Sequence, residues 1–197
     1  MALLFIWASS PGEGLVIIQK RVAGLTEAAL AKFVTRARSM VGLRGAVSVL
    51  VTSNRELQGF NCRFRGKNKP TDVLSFPAMP GLMRGFAGDV AISVEIAAQN
   101  ARRLGHTAAE EIRILALHAV LHLAGYDHER DDGEMERKET RLRKLLGLPV
   151  GLIERRGRPK GGKGSKGKTT SNVALGESRP ASAKRKQSGS RTARASR

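Results

Sequence analysis

Eleven residues, HAVLHLAGYDH from His118 to His128, hold three of the chain's four histidines and constrain its fold more than any other segment. The run leading into them is apolar and reads as a helix that starts after Thr107 and ends near Ala124. On that helix His118 and His122 are four residues apart and project from one face, where two imidazoles can share a cation at Zn–N distances of roughly 2.0–2.1 Å. His128 cannot join them on a continued helix, because at 100° per residue it would sit about 240° round from His122. Gly125 supplies the break, since glycine takes the left-handed cap conformation that turns a chain back on itself. Three ligands leave a fourth position open, which favours a catalytic or polarising ion over a structural one, and both readings stay in play.

The spacing HxxxHxxGxxH matches the ligand skeleton of the metzincin peptidases. In those enzymes a glutamate directly after the first histidine is the general base, and here that position is Ala119, which has no proton chemistry. Asp127 is either a partner behind the ligands or a cap of the turn. His106 has no metal role.

Around this helix the periodicity lays out a small domain. Leu15 to Ile18 reads as a buried strand, and Thr26 caps a helix whose Leu30, Phe33, Val34, Ala37 and Val41 share one face. Ala46 to Thr52 alternates as a strand with one strongly apolar face, and Ser53 with Glu56 opens a short helix. Val73 to Phe76 and Asp89 to Ser93 are two more strands, and a helix from Val94 to Leu104 ends at Gly105. Thr107 with Glu110 forms a capping box for the histidine helix, and Asp131 with Glu134 opens a last helix that ends near Gly147. Strands and helices in this order, without strict βαβ repetition, predict an α+β domain with one small mixed sheet.

Composition shifts at Glu154. From Arg155 to Arg197 fourteen Lys or Arg face a single acid, Glu177, among many Gly and Ser, so this tail is expected to be disordered and residues 1–154 to form the one domain. The tail carries about +13 of the formal charge of +18, which makes a polyanion such as nucleic acid the first partner to expect. Its RRGRPK run, from Arg155 to Lys160, is similar to a minor-groove AT-hook core, though generic RNA affinity explains it as well. The apolar run Ala2 to Ala8 is short and has no basic segment before it, so export is not expected, and no stretch reaches the roughly 18 apolar residues that span a bilayer. A single cysteine, Cys62, rules out an internal disulfide and is read as a packing residue.

The longer stretch HAVLHLAGYDHERDDGEMERKE from His118 to Glu139, with FRGKNKPTDVLSFP from Phe64 to Pro77 and AGDVAIS from Ala87 to Ser93, resembles the YbeY family of bacterial endoribonucleases. In order and spacing the match covers most of residues 45–148. The resemblance implies a single zincin-like domain, one zinc ion held by His118, His122 and His128, and catalytic roles for Arg65 and His118. It also implies single-strand-specific cleavage of ribosomal RNA in the cytoplasm, at the 3′ end of 16S rRNA and in late ribosome quality control, with the ribosome or its small-subunit precursor as partner and no membrane. Two positions depart from the family pattern: Ala119 stands where Gly is usual, and Phe64 where Tyr commonly precedes the arginine, so no role for a phenol is carried over.

A guanidinium suits this chemistry, because its planar fork engages two phosphate oxygens and stays charged at physiological pH. Arg63, Lys67 and Lys69 extend Arg65 into a phosphate-binding strip, while Asp72 is read as shaping the strand entry. Water and the ribose 2′-hydroxyl both remain candidate nucleophiles. The rival functions are a non-catalytic ribosome assembly factor braced by its metal and, against Ala119, a metallopeptidase.

Overall fold

The computed structural model describes residues 14–79 and 85–150. The apolar N-terminal run, the boundary at Glu154, the basic tail and its RRGRPK motif lie outside these residues. Among the described residues four strands and five helices follow one another as β1 (Val16–Ile18), α1 (Glu27–Val41), β2 (Ala46–Thr52), α2 (Asn54–Arg65), β3 (Val73–Pro77), β4 (Phe86–Ser93), α3 (Val94–Leu104), α4 (Ala108–Leu123) and α5 (Glu134–Leu145). The sheet order is β1-β2-β4-β3, with β1, β2 and β4 parallel and β3 antiparallel on the edge. This is the mixed α+β sheet expected from the pattern.

Local chemistry starts the helices where the sequence places them. Thr26, Ser53 and Ser93 each accept a hydrogen bond from the backbone N–H three residues on, and Thr107 with Glu110 closes a complete capping box. Helix α5 departs from expectation. Its first residue is Glu134, behind Gly133 at φ +80°, and no side chain caps it in the ordinary way. Asp131 reaches forward to the N–H groups of Gly133 and Met135, while its own N–H is already taken by the Asp127 carbonyl and cannot complete a capping box.

Strand β2 also differs from its reading. Its valines pack into the main core, but Ala46, Ser48, Leu50 and Thr52 are buried too, because β2 lies inside the sheet and both faces are covered. On one face α1 and α4 close over Val47, Val49, Val51, Val90 and Ile92. On the other, Leu57 of α2 meets Leu74 and Ala91. Cys62, read as packing, is exposed: α2 buries Leu57 and Asn61, and the next residue turns about 100° off that stripe.

Helix α4 occupies the centre, packed against the sheet on one side and, through Ile114, Leu117 and Leu121, against Met135 and Leu142 of α5 on another. Gly88 brings its C-terminal end close. Here β4 carries one extra residue against β2, and a Cβ on Gly88 (φ +151°) would stand 2.4 Å from the Phe76 carbonyl oxygen and 2.8 Å from Leu123. Only glycine lets the end of α4 press against the edge pair β3–β4, and that end carries the histidines. None of the described helices is long and apolar enough to cross a membrane.

Candidate functional site

Helix α4 leaves one polar stripe in its buried surface. Glu111, His118 and His122 stand seven and eleven residues apart along it and share a face. At the start of that stripe Glu111 pairs with His106 at 2.6 Å, which accounts for both without a metal.

The helix stops after Leu123 in the double hydrogen-bond pattern that ends helices at glycine: Gly125 N–H donates to the His122 carbonyl and Tyr126 N–H to that of Leu121, with Gly125 at φ +92°. The chain then reverses and brings His128 back, so that one ring nitrogen from each of His118, His122 and His128 falls within 4.8 Å of the others. The loop is held at its front by Asp127, whose carboxylate accepts from Glu129 N–H and whose carbonyl accepts from Arg130 and Asp131. Of the two readings of Asp127, its bonds match the turn cap. The triad grades from buried His122 through half-buried His118 to exposed His128, and so opens at the surface.

The protonation pattern follows from the partners. His122 Nδ1 lies 2.8 Å from the Tyr126 carbonyl, which can only accept, so Nδ1 carries the proton and Nε2 is bare. His118 Nδ1 lies 2.9 Å from Glu139 Oε2. Burial alone would raise the Glu139 carboxyl, but the His118 hydrogen bond and the charges of His118 and Arg143 outweigh it and hold it at about 2. Glu139 is thus an acceptor, which makes His118 Nδ1 the donor and leaves His118 Nε2 turned toward the other ring. The two Nε2 atoms face each other at 3.1 Å. That separation suits a shared ion, since two nitrogens on one tetrahedral zinc stand ~3.3 Å apart. Burial, then the neighbouring His118 and His128, pull His122 down to about 4, so at neutral pH it is the unprotonated imidazole a metal requires. The three histidines therefore fit a divalent transition-metal ion.

Ala119 is 1% exposed, packed in the main core, so no side chain there reaches the site. Arg65 ends α2, half-buried, and its Nη1 is shielded from solvent with no hydrogen-bond partner among the described residues. Burial lowers its pKa, and the carboxylate of Glu129, next to His128, opposes that shift. Arg63, Lys67 and Lys69 are exposed around the end of α2, and the buried Asn61 fastens their loop by donating to the Lys69 carbonyl at 2.7 Å.

Asp72 is buried, accepts from Val73 N–H as a strand-entry residue should, and also feels the charge of His118. Burial raises its pKa against those interactions. Sequence reasoning missed Glu139 and Arg143. A signal existed: Met135, Glu139 and Leu142 are the buried positions of α5, so a glutamate occupies a place where the period calls for an apolar residue.

A family model described as Endoribonuclease YbeY matches residues 15–147. The chain is similar to the Endoribonuclease YbeY of Koribacter versatilis, 57% identical over 145 residues, which cover 74% of this chain and 93% of the relative. That of Solibacter usitatus is 46% identical over 148 residues, covering 75% of this chain and 97% of the relative. A solution structure of a Thermotoga maritima protein matches with 30% identity and a TM-score of 0.46, covering 68% of this chain and 90% of the other.

Proposed function

The chain belongs to the Endoribonuclease YbeY family, and from that premise we propose that the histidine triad and Arg65 form the site at which it cleaves RNA. It is an endoribonuclease, a hydrolase whose substrate is RNA. The finer reading is ribosomal RNA processing in the cytoplasm, on single-stranded segments at the 3′ end of 16S rRNA and in late quality control of the ribosome or its small-subunit precursor. The observation that carries the site is the approach of His118 Nε2 and His122 Nε2 to 3.1 Å, each ring fixed through its other nitrogen, with His128 alongside.

His118, His122 and His128 would hold one zinc ion, leaving a coordination position open toward solvent. Bound there, the ion supplies Lewis-acid charge where the cleaved phosphodiester becomes most anionic. The protein's own residues do the rest. Arg65, half-buried at the end of α2, turns its charged fork to the non-bridging phosphate oxygens and holds the scissile group at the triad. Glu139 and the Tyr126 carbonyl keep the protons of His118 and His122 on the nitrogens that face away from the substrate. Arg63, Lys67 and Lys69 bind neighbouring phosphates. Ala119 provides no base, so proton removal from the nucleophile does not pass through the peptidase position.

The test compares wild type with Arg65→Ala and His118→Ala on a labelled single-stranded RNA, with folding and bound metal measured for each. Wild type should cut, folded and metal-loaded Arg65→Ala should lose about 10²–10³ in kcat, as when an oxyanion donor is removed, and His118→Ala should lose both ion and cleavage. Equal cleavage by all three would refute the site. The group left on the 5′ fragment separates attack by water from attack by the 2′-hydroxyl.

A further inference from the structure

Phe64, beside Arg65 on the last turn of α2, is 46% exposed, the only exposed Phe, Tyr or Trp among the described residues. It is not loose. Its ring meets Phe76 edge-to-face, with centroids 5.3 Å apart and planes at 69°, and Phe76 and Phe60 lean on the small core of Leu57, Leu74 and Ala91. Three of the chain's six phenylalanines gather here, in a protein with only 4% aromatic residues.

The surroundings are cationic. From Leu57 to Thr71 there is no acid and there are four bases, Arg63, Arg65, Lys67 and Lys69. The Arg63 guanidinium lies over the Phe64 ring, 5.4 Å from its centroid. A braced aromatic face set among cations is the chemistry that takes a single nucleic-acid strand, whose phosphates meet the charges while its bases stack on the ring. An acidic peptide would answer the cations but offers no flat π face.

We propose that Phe64, held by Phe76, is a platform on which one unpaired RNA base stacks next to the phosphate bound by Arg65. The proposal rests on the endoribonuclease reading of the site and adds a source of selectivity to it. A base inside a duplex already has neighbours on both faces and cannot be offered to the ring, so the platform favours single strands.

The experiment uses the full chain, whose tail carries fourteen Lys or Arg against one acid, and so varies the base while keeping charge constant. A single-stranded oligoribonucleotide is compared with versions carrying an abasic residue at successive positions, and its integrity is checked after each titration. Wild type should lose roughly 5- to 100-fold in affinity at one sensitive position. Phe64→Leu, which keeps an apolar contact to Phe76, should bind the intact strand that much more weakly and lose nothing further on the abasic one. Equal binding of the intact strand by Phe64→Leu and wild type, or an equal loss on both strands, overturns the platform. Should Phe64→Leu fold poorly, Phe64→Trp in a Trp7→Phe background reads stacking directly. Its fluorescence should be quenched by the intact strand and by neither the abasic strand nor polyphosphate; equal quenching by polyphosphate overturns the proposal. Wild type that shows the base dependence yet cuts no RNA refutes the endoribonuclease reading and leaves the platform standing.

Discussion

Helix α4 and helix α2 bring different chemistry to the proposed site by different means. Most of α4 is buried, and its two histidines are each tied from behind, one by a carboxylate and one by a carbonyl. Helix α2 is buried only at Leu57 and Asn61, and its cations reach solvent with few ties. The contrast shows which part must be rigid before substrate arrives. An ion tolerates little error in the placement of its ligands, whereas an RNA strand of variable sequence is met by side chains free to adjust.

The largest test of this contrast lies behind α4. Glu139→Ala should weaken metal binding 10- to 100-fold, measured by competition with a chromophoric chelator, whereas Glu139→Gln should lose less, because its carbonyl still accepts from His118 Nδ1. Wild-type affinity in Glu139→Ala would mean that the histidines need no tie.

Next in size is a pair of helix-ending glycines. Gly125 after α4 and Gly66 after α2 both have positive φ, +92° and +65°, and a Cβ at either would meet nothing within 4 Å. Alanine at each should therefore cost about 1–2 kcal/mol in urea unfolding, from backbone strain alone. Metal affinity should fall only in Gly125→Ala, because that turn delivers His128. A matching loss in Gly66→Ala would erase the distinction between the two ends.

The smallest effect contrasts two carboxylates. Glu139, partnered, is held at about 2, whereas Asp89, on the α2 face of the sheet with Oδ1 unpartnered among the described residues, is pushed up by burial to about 6. A carboxyl whose folded pKa is raised contributes stability that is full below its unfolded value, near 4, and is lost as pH rises through about 6. Asp89→Asn should therefore match wild type below about pH 4 and exceed it by on the order of 1 kcal/mol at pH 7, by urea unfolding at both. A constant difference across that range would show that Asp89 does not titrate as a buried group.

Much of this was legible before the structure because the signals are local. Caps at Thr26, Ser53, Ser93 and Thr107 start helices within one turn, and the i, i+4 histidines with Gly125 determine the triad by geometry alone. What escaped depends on contacts distant in sequence. Glu139 lies 21 residues from His118 and meets it only because α5 packs on α4. The extension of β4 back to Phe86 depends on the bulge at Gly88, and the exposure of Cys62 depends on which stripe of α2 meets the sheet. Asp72, read as shaping a strand, comes near His118 through the pairing of the edge strand.

The most direct measurement is X-ray absorption spectroscopy on the purified full chain, with metal content determined on the same sample. The expected result is one ion per chain with three imidazole nitrogens at roughly 2.0–2.1 Å and a non-protein oxygen completing the shell, all lost together in His118→Ala. A chain that holds no ion, or a shell closed by four protein ligands, would contradict the open three-histidine centre.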